Sequence, residues 1–274
     1  MRFFDKLANA SRKNGSLLCV GLDPDLALMP IDDVAEFNRA IIEATSDLVC
    51  AYKPNIAFYE ALGEKGMAAL HDTLAAIPSD IPTICDAKRG DIGNTAKAYA
   101  HALFDHLRFD AVTLNPYLGG DALEPFLERD DKGCIILCRT SNPGARDLQD
   151  LPIAGEGGQR PLFEAVAAMA NRWNSRGNVG LVVGATYPDE LRRVRAICPE
   201  MTFLVPGVGA QGGDIAAVMA NGLDAKGGGL IINVSRQVLY ASRDANFARA
   251  AGEAARALRD EIERGRKRAL EARR

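Results

Sequence analysis

The stretch Asp86-Ala87-Lys88-Arg89-Gly90-Asp91-Ile92-Gly93-Asn94-Thr95 gathers reactive groups more densely than any other part of the chain. It follows Ile81-Pro82-Thr83-Ile84-Cys85, which reads as a short buried strand. Side chains alternate along a strand, so Asp86 and Lys88 share one face at its C-terminal end. Asp91 follows where the chain turns toward a helix. Two carboxylates and an ammonium at the mouth of an apolar element would be costly to bury for stability alone. In isolation a D-x-K-x-x-D pattern reads as a surface ion-pair patch. At a buried strand end it suits a site that handles a charged substrate and moves a proton. The anions orient the Lys88 ammonium, which can stabilise developing negative charge and then donate a proton.

Other strand-end groups extend this set. Lys53, in Tyr52-Lys53-Pro54-Asn55, is either a rim lysine or an inward residue that carries the charge network toward Asp86. Asp23, in Val20-Gly21-Leu22-Asp23-Pro24, either caps a turn or accepts a hydrogen bond from a substrate hydroxyl. The segment Pro206-Gly207-Val208-Gly209-Ala210-Gln211-Gly212-Gly213 is glycine-rich, so its backbone N–H groups can approach a phosphate closely. Its partner is Asn233-Val234-Ser235-Arg236, where Arg236 offers a bidentate, charge-assisted bond to that phosphate. Neither piece matches a dinucleotide fingerprint or a P-loop. Thr140-Ser141-Asn142-Pro143-Gly144 is a turn by composition that could equally present a hydroxyl and amides to a flat heterocycle.

These groups need a frame. Apolar runs at Leu17–Leu22, Leu48–Tyr52, Ile81–Cys85, Ala111–Leu114, Cys134–Leu137, Val179–Val183, Thr202–Val205 and Leu230–Val234 alternate with amphipathic stretches such as Val34–Thr45, Thr95–Leu107, Leu162–Asn174 and Ala245–Glu263. Near-continuous apolar runs fit strands of a parallel sheet covered on both faces. Eight βα units in roughly 250 residues form the pattern of a (β/α)8 TIM barrel, α/β in class, spanning the chain as one domain. Polar residues gather at the C-terminal ends of these runs, the face where barrel enzymes place their active sites. A doubly wound open sheet is the architectural alternative, and it would concentrate chemistry at one switch point. The segment from Arg146 to Pro161 is long for a βα connection and reads as a lid or an insertion. The charged end from Glu263 to Arg274 reads as a solvated helix end or a frayed tail.

Composition sets outer limits. The 274 residues are 47% hydrophobic and 25% charged, with a formal net charge of −3. That balance argues against a general nucleic-acid binder. No apolar run is long enough to span a membrane, and the first residues lack a signal-peptide core. The six cysteines lie apart, none in CxxC spacing, and with only three histidines a zinc site is not expected. Reduced thiols in a cytoplasmic protein are the expectation.

Taken together, Leu18-Cys19-Val20-Gly21-Leu22-Asp23, Asp86-Ala87-Lys88-Arg89-Gly90-Asp91-Ile92, Thr140-Ser141-Asn142-Pro143-Gly144, the segment from Pro206 to Gly213 and Arg236 resemble the orotidine 5′-phosphate decarboxylase family, in its longer bacterial branch. The resemblance covers most of the chain. It implies a cofactor-free, metal-free decarboxylation of orotidine 5′-monophosphate to uridine 5′-monophosphate, and a homodimer with shared active sites. It further implies that Lys88 protonates C6 while Asp86 lies against the substrate carboxylate. Asp91, Ile92 and Thr95 would reach the partner's site. Asp23 and Lys53 would bind ribose hydroxyls, Ser141 the pyrimidine edge, and Gln211 and Arg236 the phosphate beside Pro206. One departure is Ser235, where shorter family members carry Gly. The rivals are a magnesium-dependent sugar-phosphate decarboxylase or aldolase, which resembles the D-x-K-x-x-D stretch but would carry an acidic ligand in place of Lys53, and a non-catalytic barrel that binds phosphate ligands.

Overall fold

In a computed structural model, which describes residues 1–155, 158–208 and 212–273, ten strands are present. Eight of them are parallel: β1 (Leu18–Leu22), β2 (Ala51–Pro54), β3 (Ile84–Arg89), β4 (Ala111–Leu114), β5 (Gly133–Arg139), β8 (Val179–Val183), β9 (Phe203–Pro206) and β10 (Leu230–Val234). The other two, β6 (Pro152–Gly155) and β7 (Gly158–Pro161), pair antiparallel as a hairpin. Within the sheet the order is β2-β1-β10-β9-β8-β5-β4-β3. The two outer strands meet through the single pairings Tyr52↔Thr83 and Asn55↔Asp86, which round the sheet into a barrel. The (β/α)8 expectation holds, and the open sheet does not.

Alternation sorts the side chains. Cys19, Ala51, Ile84, Ala111, Ile135, Val182, Leu204 and Ile231 fill the barrel interior, while Leu18, Val20, Cys85, Val112, Ile136 and Ile232 face the helices. Small residues such as Cys19, Ala51 and Ala111 suit the narrow centre. Phe3 and Leu7, from the helix Phe3–Asn14, close the N-terminal mouth. A Cβ at Gly133 would lie 2.3 Å from the Phe3 ring, so only glycine admits this plug. The outer helices follow ordinary rules. Val34–Thr45 starts where the Asp33 carboxylate accepts the Glu36 N–H at 2.9 Å, and it buries Phe37, Ile41 and Ile42 on one face.

Several boundaries differ from the sequence reading, three of them instructively. β2 begins at Ala51, not Leu48, because Leu48 and Val49 are buried in the turn that leads into the strand. β3 continues past Cys85 to Arg89, through charged residues that hydrophobicity alone had set outside it. The helix read as Thr95–Leu107 is α-helical over Gly93–Ala100 and then widens over His101–His106, where the Leu107 N–H reaches back five residues to the Ala102 carbonyl. The segment from Arg146 to Pro161, read as a lid or an insertion, contains the β6–β7 hairpin. The C-terminal stretch is a docked helix, Phe247–Glu271. Ile262 is buried, Arg266 donates to the Gly227 carbonyl at 2.6 Å, and Arg273 donates to the Leu223 and Asp224 carbonyls.

Candidate active site

One turn above the innermost layer, the inward positions are Gly21, Lys53, Asp86, Thr113, Pro206 and Asn233. Polar residues replace apolar ones here because this layer forms the floor of a cleft of about 380 Å³, lined among others by Asp23, Lys53, Asp86, Pro206, Asn233 and Arg236. The cleft runs from the charged pair Lys53–Asp86 to Gly207, Ser235 and Arg236.

Asp86 is the hub. Lys53 Nζ donates to its Oδ2 at 2.9 Å, and Lys88 Nζ to its Oδ1 at 2.5 Å. Thr113 donates its hydroxyl to the same Oδ1 at 3.1 Å and accepts the N–H groups of Ala87 and Lys88 at 3.0 and 2.9 Å. Side-chain exposure is 4% for Lys53, 13% for Asp86 and 48% for Lys88, so the array grades from buried to open. Burial alone would raise the Asp86 pKa, but the Lys53 and Lys88 charges outweigh it and hold the carboxyl well below the usual range. Burial alone would lower Lys53, and Asp86 with Asp23 more than reverses that, leaving the ammonium more basic than usual. Lys88 has φ 48°, in the left-handed region. A non-glycine residue held there costs about 1–3 kcal/mol and persists where the surroundings fix it. Here the register of β3 shifts between Cys85 and Arg89, and Thr113 grips the Lys88 N–H.

Asp23 stands at the end of β1, and its Oδ1, like Oδ1 of Asn233, is buried without a hydrogen-bond partner among the described residues. In a cleft, such acceptors await a donor. Ser141, on the loop after β5, packs against the backbone of Gly184 at the end of β8. Lys88, Ser141, Asp91, Ile92 and Thr95 do not line this cleft, although Lys88 is bound to Asp86, which does. Asp91 accepts the Ile92 N–H at 2.8 Å, and Ile92 is 59% exposed. Gln211 lies outside the described residues. Pro206 ends β9 beside Gly207, and the Gly213 N–H closes that loop onto the Gly207 carbonyl at 3.1 Å.

Ser235 has a physical counterpart in β1. Its hydroxyl donates to the Gly21 carbonyl at 3.3 Å, and a Cβ at Gly21 would lie 3.0 Å from the Ser235 Cβ. Glycine at 21 therefore makes room for serine at 235. Sequence reasoning assigned no role to Thr113, Asn233 or Tyr240. The signals were an inward polar residue within each of two apolar runs, Ala111–Leu114 and Leu230–Val234. Tyr240 gave no such signal. Among the described residues, no three His, Cys, Asp or Glu side chains converge as a metal-binding group.

A parallel (β/α)8 barrel whose C-terminal face carries a lysine–carboxylate array, joined by one cleft to a glycine-rich loop and an arginine, defines the class of barrel enzymes acting on small phosphorylated substrates. The comparisons narrow the class. The family profile described as orotidine 5′-phosphate decarboxylase / HUMPS matches residues 16–251, and the chain belongs to that family. It is 58% identical over 263 residues to the orotidine 5′-phosphate decarboxylase of Herpetosiphon aurantiacus, covering 93% of this chain and 96% of that one. Over 269 residues it is 54% identical to the orotidine 5′-phosphate decarboxylase of Dehalococcoides mccartyi strain BAV1, covering 98% and 100%. Among solved structures, Leishmania donovani OMP decarboxylase superposes with a TM-score of 0.86 at 47% identity, covering 97% of this chain and 100% of that one.

Proposed function

We propose that this protein decarboxylates orotidine 5′-monophosphate to uridine 5′-monophosphate, the last step of de novo pyrimidine synthesis. The observation that carries the reading is the Lys53–Asp86–Lys88 array at one end of a cleft whose other end holds Arg236. Relatives at 54–58% identity, matched over nearly their whole length, are named for this reaction.

The phosphate sits on Arg236 and the backbone of the loop after β9. Asp23 and Lys53 take the ribose hydroxyls, and Ser141 meets the pyrimidine edge. The substrate carboxylate then lies beside Asp86. Its bond to C6 breaks, carbon dioxide departs, and the electron pair stays on C6 in the ring plane. Lys88 delivers its proton to that carbon. The half-exposed lysine then takes a replacement proton from solvent. Phosphate contacts far from C6 supply binding energy that holds the reacting carbon against Lys88. Lys53 is a cation where a magnesium-dependent relative would present a carboxylate, and it is ion-paired with Asp86. The enzyme works as a cytoplasmic homodimer in which Asp91, Ile92 and Thr95 complete the partner's site; the exposure of the apolar Ile92 side chain supports this arrangement.

The test is direct. Purified protein is mixed with orotidine 5′-monophosphate in excess EDTA, and the ultraviolet change on decarboxylation is followed. Turnover unaffected by EDTA or by added magnesium is expected. Activity that disappears with the chelator and returns with magnesium would sink the metal-free reading.

A further inference from the structure

The end of β1 is held in an unusual way. Three successive carbonyls each accept from a side-chain hydroxyl: Gly21 from Ser235 at 3.3 Å, Leu22 from Tyr59 at 3.0 Å, and Asp23 from Tyr240 at 3.0 Å. Two of the three donors come from the segment that carries Arg236. The short helix Arg236–Leu239 begins with that arginine and ends at Tyr240, whose N–H returns to the Arg236 carbonyl at 3.1 Å.

Tyr240 is placed with care. Its ring stacks on Phe37 with centroids 6.1 Å apart and planes 15° apart, and it lines the cleft. Its hydroxyl also accepts the Asp25 N–H at 2.6 Å, so it bridges the backbone on both sides of Pro24. Burial raises the phenol to about 12, so it remains a donor at neutral pH. The bridge holds the backbone of Asp23, whose carboxylate keeps a buried oxygen with no partner among the described residues.

We infer that Tyr240 is a positioning residue that sets the spacing between the Asp23 carboxylate and Arg236, and so the sugar-to-phosphate distance that the cleft accepts. The inference rests on the assignment of Asp23 to a ribose hydroxyl and of Arg236 to the phosphate. In a nucleotide the two groups are joined through one short covalent link, so both contacts form together only if their protein partners are correctly spaced. Binding constellations tolerate displacements of about 0.5 Å.

Tyr240→Phe keeps the ring on Phe37 and removes both hydroxyl bonds. The readout is the Kd for uridine 5′-monophosphate, which stays measurable when turnover is lost, in wild-type and Asp23→Ala backgrounds, with the thermal midpoint of each variant. Tyr240→Phe should weaken binding about tenfold in the wild-type background and less than twofold in Asp23→Ala, since nothing is then left to position. Ser235→Ala, which leaves the ring untouched, should show the same pattern at about threefold. Equal losses in both backgrounds, or no loss in either, overturn the inference. Asp23→Ala binding as tightly as wild type overturns the assignment of Asp23 beneath it, and the inference with it, whatever Tyr240→Phe does.

Discussion

Asp86→Asn tests the electrostatics of the array because it changes charge without changing shape. In the wild-type chain, the folded-state pKa of Asp86 is depressed. Its contribution to stability is therefore present above the unfolded value, about 4, and is lost as pH falls through the lower folded value. That of Lys53 is raised, so its contribution is full below about 10 and is lost as pH rises through the higher folded value. The pair should leave stability level between about pH 5 and 9. Asparagine removes the main partner of a lysine whose side chain is 4% exposed. Breaking a buried pair by removing one partner costs about 3–5 kcal/mol. The asparagine oxygen still accepts a bond, so about 3 kcal/mol is expected at pH 7. The sign of the pH dependence then reverses. With Asp86 neutralised, burial dominates and the Lys53 pKa falls below its unfolded value. Between the two values the unfolded chain binds more protons, so stability rises with pH, by at most about 1.4 kcal/mol per unit. Urea unfolding of both proteins from pH 6 to 9.5 should show the deficit shrinking as pH rises. Adding Lys53→Met to Asp86→Asn should make the remaining deficit independent of pH. A constant deficit in Asp86→Asn itself would show that Lys53 does not depend on Asp86 for charge compensation, and the account of the array would fail.

Two further outcomes follow from the site. Arg236→Ala should weaken uridine 5′-monophosphate by about 1.5–3 kcal/mol, as expected for a charged hydrogen bond, and uridine hardly at all; calorimetric losses of equal size on both ligands would rule out a direct phosphate contact. Lys88→Ala and Asp91→Ala should each be nearly inactive, and dimers exchanged between them should regain up to about half the wild-type activity, because one of their two sites has both residues intact. Mixed dimers demonstrated by mass and found as inactive as their parents would remove Asp91 from the partner's site.

The sequence carried the barrel because buried parallel strands are apolar on both faces; β4, β8 and β10 fall on the residues that hydrophobicity marked. It misplaced strand ends where function intrudes. β3 runs on through Asp86 and Lys88 because the two charges satisfy each other within the layer, which no hydrophobic pattern reveals. Asp86, Lys53, Asp23, Pro206 and Arg236 stood out as polar or glycine-flanked strand ends, and they share one cleft. Thr113 and Asn233 were hidden because a single inward polar residue in an apolar run looks like a packing compromise. Tyr240 depends on contacts more than 200 residues distant in sequence, which spacing cannot report. The fit of Ser235 against Gly21 was invisible for the same reason.

Ring closure also bears on how the chain is made. β1 pairs on one side with β2, but its other neighbour is β10, joined through Leu18↔Ile232 and Val20↔Val234. During synthesis, that second edge has no native partner until the eighth barrel strand leaves the ribosome. At about 5–20 residues per second, the wait is on the order of 10–40 s. Throughout it, an apolar strand presents open backbone N–H and C=O groups, the condition under which edges pair with other chains. Helices that fold early over the outer face cannot cover this edge. The nascent enzyme should therefore be most vulnerable to aggregation just before its last strand emerges.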